Sequence, residues 1–340
     1  MERIMDSNSA APGFGRRAFL GGVIAAAASG GVVLGQDAKP ERKPKEHGNA
    51  LVYQFKIGEF DAWSISDGHM LFRGPLDLMW PREDQPQMKE WLESHGERLD
   101  GIPLYVNILV VRIGKEVAIF DAGFGERDAT NIGWLQDGLK QAGISPEQVT
   151  AGFLSHSHAD HLAGFVQGNK PAFPNAAFYY LPEEYEFWHA KEPDFSKTKR
   201  NKGELPGMIK EVCKQFEILK GVSQPVKAGT QFFNGAVTIE AAPGHTAGHA
   251  IFRIKSGNES LLHMMDLSHH HGFMFHNPNW YIAFDHDPMQ SIETRKKVFA
   301  QAAAEKTRCY GFHVPWPGIG RVLPVGEGYV WYAERWSWGS

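Results

Sequence analysis

Alternation of apolar and polar side chains marks where the folded part of this chain begins. Leu51 to Ile57 and Phe60 to Ser66 both alternate, with Gly58-Glu59 between them, and the pattern predicts a β-hairpin. Leu104 to Ile113 and Val117 to Phe120 repeat the device around Gly114-Lys115. A helix is predicted over about Asn131 to Ala142 and a strand over Gly152 to Ser155. Asn234-Gly235 is a type I′ turn signal between Gln231-Phe232-Phe233 and Val237 to Ala241. Strands follow at His249 to Ile254 and Leu261 to Met265, then a helix from Pro288 to Glu305 behind the acidic Asp287, then a short strand from Cys309 to Phe312. No repeat of about 20 to 50 residues is evident. Strands interleaved with helices over residues 51–340 predict an α/β fold class: two packed mixed sheets flanked by helices, in one catalytic domain.

The residues ahead of that domain read differently. Gly15-Arg16-Arg17-Ala18-Phe19-Leu20 runs into a weakly apolar stretch, Gly21 to Leu34, rich in Ala and Gly. Residues 1–35 resemble a twin-arginine export signal, with cleavage after Val33-Leu34-Gly35, and the expected location is periplasmic or secreted. The apolar run is shorter than the roughly 20 residues a membrane span needs, so no stable membrane anchor is expected. Residues 36–50, with their Lys, Glu and Pro, read as a flexible linker.

Composition narrows the chemistry. The 340 residues are 42% hydrophobic, which describes a folded chain, and the formal charge of -4 carries no polyanion signal. No Lys/Arg stripe of the kind that neutralises phosphates is visible, so no nucleic-acid partner is expected. Cys213 and Cys309 are the only cysteines, too few for a disulfide framework and too far apart for a zinc knuckle. A metal here must be held by histidine and carboxylate.

The segment Ser155 to Gly164, SHSHADHLAG, supplies both at the end of an apolar run. His156 and His158 are two apart, so on extended chain their side chains point to the same side and can grip one ion. Asp160 and His161 stand where the chain turns into a helix beginning near Leu162, and can face a second ion.

His156-Ser157-His158-Ala159-Asp160-His161 resembles the signature of the metallo-β-lactamase superfamily, and further motifs follow in that family's order. Phe120-Asp121-Ala122-Gly123 is similar to the upstream turn whose Asp orients a metal-bound His. Pro243-Gly244-His245-Thr246-Ala247-Gly248-His249 is similar to the downstream histidine loop. Asp266 matches the bridging carboxylate, and His313 after Tyr310-Gly311-Phe312 matches the last ligand. The resemblance implies an αβ/βα sandwich holding two divalent metal ions at one edge of its sheets. It assigns His156, His158 and His245 to one ion, Asp160, His161 and His313 to the other, and Asp266 to both. His249 is left outside the ligand set. An all His and carboxylate shell suits zinc and is compatible with manganese, iron or cobalt. Such a site implies a hydrolase that attacks with a bridging hydroxide, with Asp160 and Asp266 as catalytic carboxylates.

Within the superfamily the pattern is closest to the methyl parathion hydrolase and N-acyl homoserine lactonase group. That implies a small neutral, ester-like substrate: a lactone, an aryl ester or a phosphotriester. His269 stands where the lactonases place a Tyr, and is read as a substrate-oxygen donor that binds no metal. A glyoxalase II-like thioesterase and a mononuclear-iron sulfur dioxygenase are the rivals. Trp188, Phe273, Phe275, Trp280 and Trp316 are the aromatic candidates for an apolar cleft. Met70 to Trp91 is read as a lid, a subunit interface in a possible homodimer, or ordinary packing.

Overall fold

The computed structural model describes residues 50–127 and 129–337. The expected export signal and linker lie outside the described residues, apart from Ala50. Two seven-stranded sheets face each other, and in both the strand order follows the chain. The first comprises β1 (Val52–Ile57), β2 (Phe60–Arg73), β3 (Gly101–Ile113), β4 (Glu116–Phe120), β5 (Ala151–Phe153), β6 (Ala177–Tyr180) and β7 (Ser223–Pro225). The second comprises β8 (Gln231–Phe232), β9 (Val237–Ala241), β10 (Ala250–Ser256), β11 (Glu259–His263), β12 (Arg308–Tyr310), β13 (Ile319–Val325) and β14 (Gly328–Ala333). β1 through β4 pair antiparallel, as expected of chained hairpins, whereas β4, β5, β6 and β7 pair parallel.

Burial follows pairing. β1 alternates buried and open positions, as a strand with one wet face must. β5 is buried at every position, as a central parallel strand covered on both faces should be. The sheets are joined by interlocked rings: Phe120 and Phe153 stack at 5.1 Å, and Phe252 of the opposite sheet packs on both, at 5.2 and 5.8 Å. The helices include α1 (Gln85–Ser94), α2 (Leu135–Gln141), α3 (Ala159–Leu162), α4 (Pro182–His189), α5 (Leu205–Leu219), α6 (Phe273–His276) and α7 (Pro288–Ala304). α2 packs on β2 and α7 on β13, so each sheet is covered in part on its outer face. Among the described residues no helix is long and apolar enough to cross a membrane.

Several boundaries differ from the sequence pattern, each for a local reason. β2 continues to Arg73, because a bulge between Ser66 and Gly68 lets it stay paired with β3. The Asn234-Gly235 connection is a four-residue loop, since Phe232 pairs with Val237; Phe233, Asn234 and Gly235 all have positive φ. β11 stops at His263, where the chain turns through a 3₁₀ segment, Met265–Leu267, with Met265 at φ 47°. β12 ends at Tyr310, leaving Phe312 and His313 on the loop beyond it. α3 begins at Ala159, so Asp160 and His161 lie inside its first turn.

Candidate metal centre

The loops at one edge of both sheets carry the chemistry. β5 ends at Phe153, and the chain bends at Ser155 and continues past His156 to His158, whose extended backbone is the N-cap of α3. His245 lies between β9 and β10, Asp266 on the turn after β11, and His313 after β12. Two close approaches permit this convergence. Gly244, at φ 126°, lies so near Ser291 of α7 that a Cβ would come within 2.2 Å of its backbone nitrogen. A Cβ on Gly248 would meet Glu184 of α4 at the same distance.

All seven residues assigned to metal by resemblance are buried and gathered. His156, His158, His245 and Asp266 form one group, and Asp160, His161 and His313 a second. His158 Nδ1 lies 2.9 Å from both His156 Nε2 and His245 Nε2. Asp266 stands between the groups: its Oδ2 is 3.2 Å from His245 Nε2 and 3.3 Å from His313 Nε2, and its Oδ1 is 3.3 Å from His161 Nε2. His161 Nε2 and Asp266 Oδ1 are buried with no hydrogen-bond partner among the described residues. Buried polar atoms are normally satisfied, so inward-turned lone pairs with nothing to accept from are what a cation site presents. The donor set therefore fits divalent metal.

The outward ring nitrogens are fastened. His161 Nδ1 donates to Asp121 Oδ2 at 2.6 Å, His245 Nδ1 to Asp285 Oδ1 at 2.7 Å, and His313 Nδ1 to the Tyr105 carbonyl at 2.6 Å. His156 Nδ1 donates to Ser155 Oγ at 2.9 Å, and that hydroxyl donates in turn to Asp121. Such partners fix the ring tautomer that leaves the inward nitrogen free. Asp121 performs the orienting role expected of it, at a left-handed φ of 56° that Asp tolerates. His249 sits outside both groups; its Nε2 accepts from the Asp266 backbone N–H at 3.2 Å and so holds that turn.

Electrostatics divide the histidines: His156 and His158 are held neutral, whereas the carboxylates draw positive charge to His161 and His245. Burial, then His161, holds His156 well below the ordinary histidine range, and burial, then His245, does the same to His158. Burial opposes charge on His161, yet Asp266, Asp160 and Asp121 raise it well above that range. Burial likewise opposes charge on His245, but Asp266 and Asp285 carry it up to about 9. Burial would raise Asp266, and the surrounding histidines, His161 first, hold it well below the usual carboxylate range.

A cleft of about 710 Å³ opens over Asp160, Asp266, His269 and His313, with walls that include Met70, Phe72, Leu78, Trp80, Met208 and Phe284. None of the five aromatics expected there lines it. Trp188, Phe273, Phe275 and Trp280 are core, and Trp316 packs against Tyr53 and Trp336. The aromatic surface of those residues is spent holding elements together; Phe275, for instance, stacks on Phe299 of α7 at 4.7 Å. Met70 to Trp91 supplies wall and packing at once, with Phe72, Leu78 and Trp80 facing the cleft and Met88 buried with Phe273 and Trp280. His269 also lines the cleft, its Nε2 3.1 Å from Asp266 Oδ2, and it forms a third possible ligand group with Asp266 and His313. Burial lowers it to about 4.

Three groups escaped the linear pattern. Glu184 accepts from Ser157 N, Gly248 N, Thr246 Oγ1 and Trp188 Nε1, and so staples the His156 loop to the His245 loop. Asp285 holds His245, as above. Arg82, Lys199 and Arg200 bring positive charge to the cleft; the run Lys197 to Lys202 is the trace of the last two in the sequence, and Arg82 stands apart from it.

Residues 101–310 match the profile described as the metallo-beta-lactamase superfamily, more than half of the chain. The chain belongs to the metallo-beta-lactamase superfamily. Among solved structures it is similar to AidC, a dizinc quorum-quenching lactonase in complex with a product, N-hexnoyl-L-homoserine, at 28% identity and a TM-score of 0.81 over 85% of this chain and 100% of that one. It is similar to the hydrolase AbOPH of the beta-lactamase superfamily at 27% identity and a TM-score of 0.77, over 86% of this chain and 100% of that one. An N-acyl homoserine lactone hydrolase shares the fold at 17% identity and a TM-score of 0.52, over 75% of this chain and 93% of that one. No curated protein matches the chain. As a member of this superfamily, with lactonase neighbours, the chain is a metal-binding hydrolase.

Proposed function

We propose that the chain is a binuclear hydrolase acting on a small ester-like substrate: a lactone, an aryl ester or a phosphotriester. The observation that carries this reading is the position of Asp266, one carboxylate whose Oδ2 reaches His245 of one group and His313 of the other and whose Oδ1 reaches His161. The similarity to a dizinc lactonase over most of the chain supports it.

His156, His158 and His245 would hold one divalent ion, Asp160, His161 and His313 the other, and Asp266 both, with zinc suited to this shell. Two such ions supply Lewis acidity and a water acidified enough to attack near neutral pH. The protein does the rest. The apolar wall of Phe72, Leu78, Trp80 and Phe284 offers contact to the apolar part of a substrate. Asp160, whose side chain is 13% exposed, is the cluster carboxylate most open to the cleft. Its Oδ1, turned away from His161 and His313, would take the proton given up by the attacking water and return it to the leaving alkoxide. His269, neutral at pH 7, has a single Nε2–H, which it gives to Asp266 until a substrate oxygen that gains charge beside it takes that place. The reading is tested by a hydrolysis panel of lactones, aryl esters, phosphotriesters, a thioester and a β-lactam on protein of known metal content. Turnover confined to the first three classes is expected; turnover of the thioester alone overturns it. Arg82, Lys199 and Arg200 at the cleft are the observation favouring that thioesterase alternative.

The export reading is kept as part of the proposal. Arg16→Lys with Arg17→Lys is expected to retain the protein, active, in the cytoplasm; undiminished periplasmic yield of that variant contradicts it.

A further inference from the structure

Arg200 is a half-buried cation in the cleft wall without a counterion. Among the described residues it forms no ion pair, and Glu204, Asp160 and Asp285 act on it only at longer range. Its guanidinium lies 4.6 Å over the ring of Phe284, Nη1 points to the Met208 sulfur at 3.4 Å, and Nε has no partner among the described residues. Burial lowers its pKa, yet an arginine stays charged. A guanidinium held at the cleft with no carboxylate bound to it keeps donors free for an acceptor on a ligand.

The remaining nitrogen identifies what that is. Arg200 Nη2 stands 3.3 Å from His158 Nε2. That contact is a hydrogen bond only if His158 carries its proton on Nδ1. Nδ1, however, is the nitrogen turned into the cluster, 2.9 Å from His156 Nε2 and His245 Nε2. Once Nδ1 gives its lone pair to an ion, the imidazole proton must sit on Nε2. Arg200 Nη2–H and His158 Nε2–H are then two donors side by side, which cannot satisfy each other and can both satisfy one oxygen placed between them.

Resting on the hydrolase reading, we propose that Arg200 and His158 form a two-donor fork for a second oxygen of the substrate, a carbonyl or carboxylate outside the group that is cleaved. The fork lies across the width of the His158 ring from the cluster, so the oxygen it takes is distinct from the one that reacts. Arg200 is therefore a specificity-determining residue, and the preferred substrates are esters or lactones with an acyl-amide carbonyl or a carboxylate beside the scissile group. A guanidinium prefers the carboxylate, because a charge-assisted bond is the stronger.

The test uses three lactones of equal ring and chain length: one with an amide carbonyl next to the ring, one with a carboxylate there, and one plain alkyl lactone. Each is assayed with metal-loaded wild type, Arg200→Met and Arg200→Lys. The three ring-opened products are titrated into the same proteins by calorimetry, and metal content and thermal melting are recorded for each. Wild type is expected to prefer the two acceptor-bearing compounds by about tenfold or more in kcat/KM and in product Kd, a ratio of the size expected for a hydrogen bond to a charged group. Arg200→Met should erase that preference at unchanged metal content. Arg200→Lys, which keeps a point charge and loses the fork, should retain part of the carboxylate preference and little of the carbonyl one. A preference that survives both substitutions, or is absent from wild type in calorimetry, overturns the fork. Wild type that hydrolyses no compound in the panel overturns the hydrolase reading, and the calorimetric ranking still decides the fork.

Discussion

The floor of the cleft and its wall are built on opposite rules. On the floor, His156, His161, His245 and His313 each have the outward ring nitrogen tied to a hydroxyl, a carboxylate or a carbonyl, so their inward nitrogens cannot turn away. On the wall, Trp80 Nε1, Arg200 Nε and His269 Nδ1 are buried without a partner among the described residues. Around them stand Met70, Met208 and other apolar side chains that tolerate repacking. The difference separates two tasks. A rigid floor fixes where charge is stabilised, whereas an under-bonded, adaptable wall decides which molecule reaches it.

Substitutions on the two sides should therefore fail differently. Asp266→Ala should be the most severe, since it removes the one group that the proposal gives to both ions: loss of at least one ion by elemental analysis and of about a thousandfold or more in kcat is expected. Normal turnover with both ions retained contradicts the floor as described. Asp285→Asn leaves every inward nitrogen in place but weakens the hold on His245. About a 10- to 100-fold loss of metal affinity in a chelator competition is expected, as for other outer partners of metal ligands. His269→Ala lies on the border of the two regions. It should keep its metal while kcat for the best substrate falls about tenfold, roughly 1.4 kcal/mol; loss of an ion instead makes it a ligand with Asp266 and His313. Trp80→Ala removes wall only, and should raise KM for long-chain substrates several-fold with kcat nearly unchanged, measured over a chain-length series.

The same division decides what could be read from the sequence. The floor was legible because ligand chemistry tolerates few residue types and because His156, His158, Asp160 and His161 are consecutive enough to announce themselves. Asp121 and His313 were placed by order along the chain, and the geometry gathers His313 with Asp160 and His161 as that order implied. The two-sheet fold was legible from alternation in β1 and β2 and from the apolar run at β5. The wall was not legible. An aromatic residue near a motif looks the same in sequence whether it faces a cleft or a core, and Trp188, Phe273, Phe275 and Trp280 all went to the core. Glu184 and Asp285 were hidden for a related reason: a carboxylate that fastens loops distant in sequence, such as Ser157 and Gly248, has no spacing rule to betray it.

The account turns on two ions sharing Asp266, and a metal titration of the apoprotein against turnover of the best panel substrate tests that most directly. The account predicts that ions per chain and activity rise together and that turnover reaches its maximum at about two equivalents of zinc. Full turnover at one equivalent, with the second ion bound without effect or not at all, would contradict it.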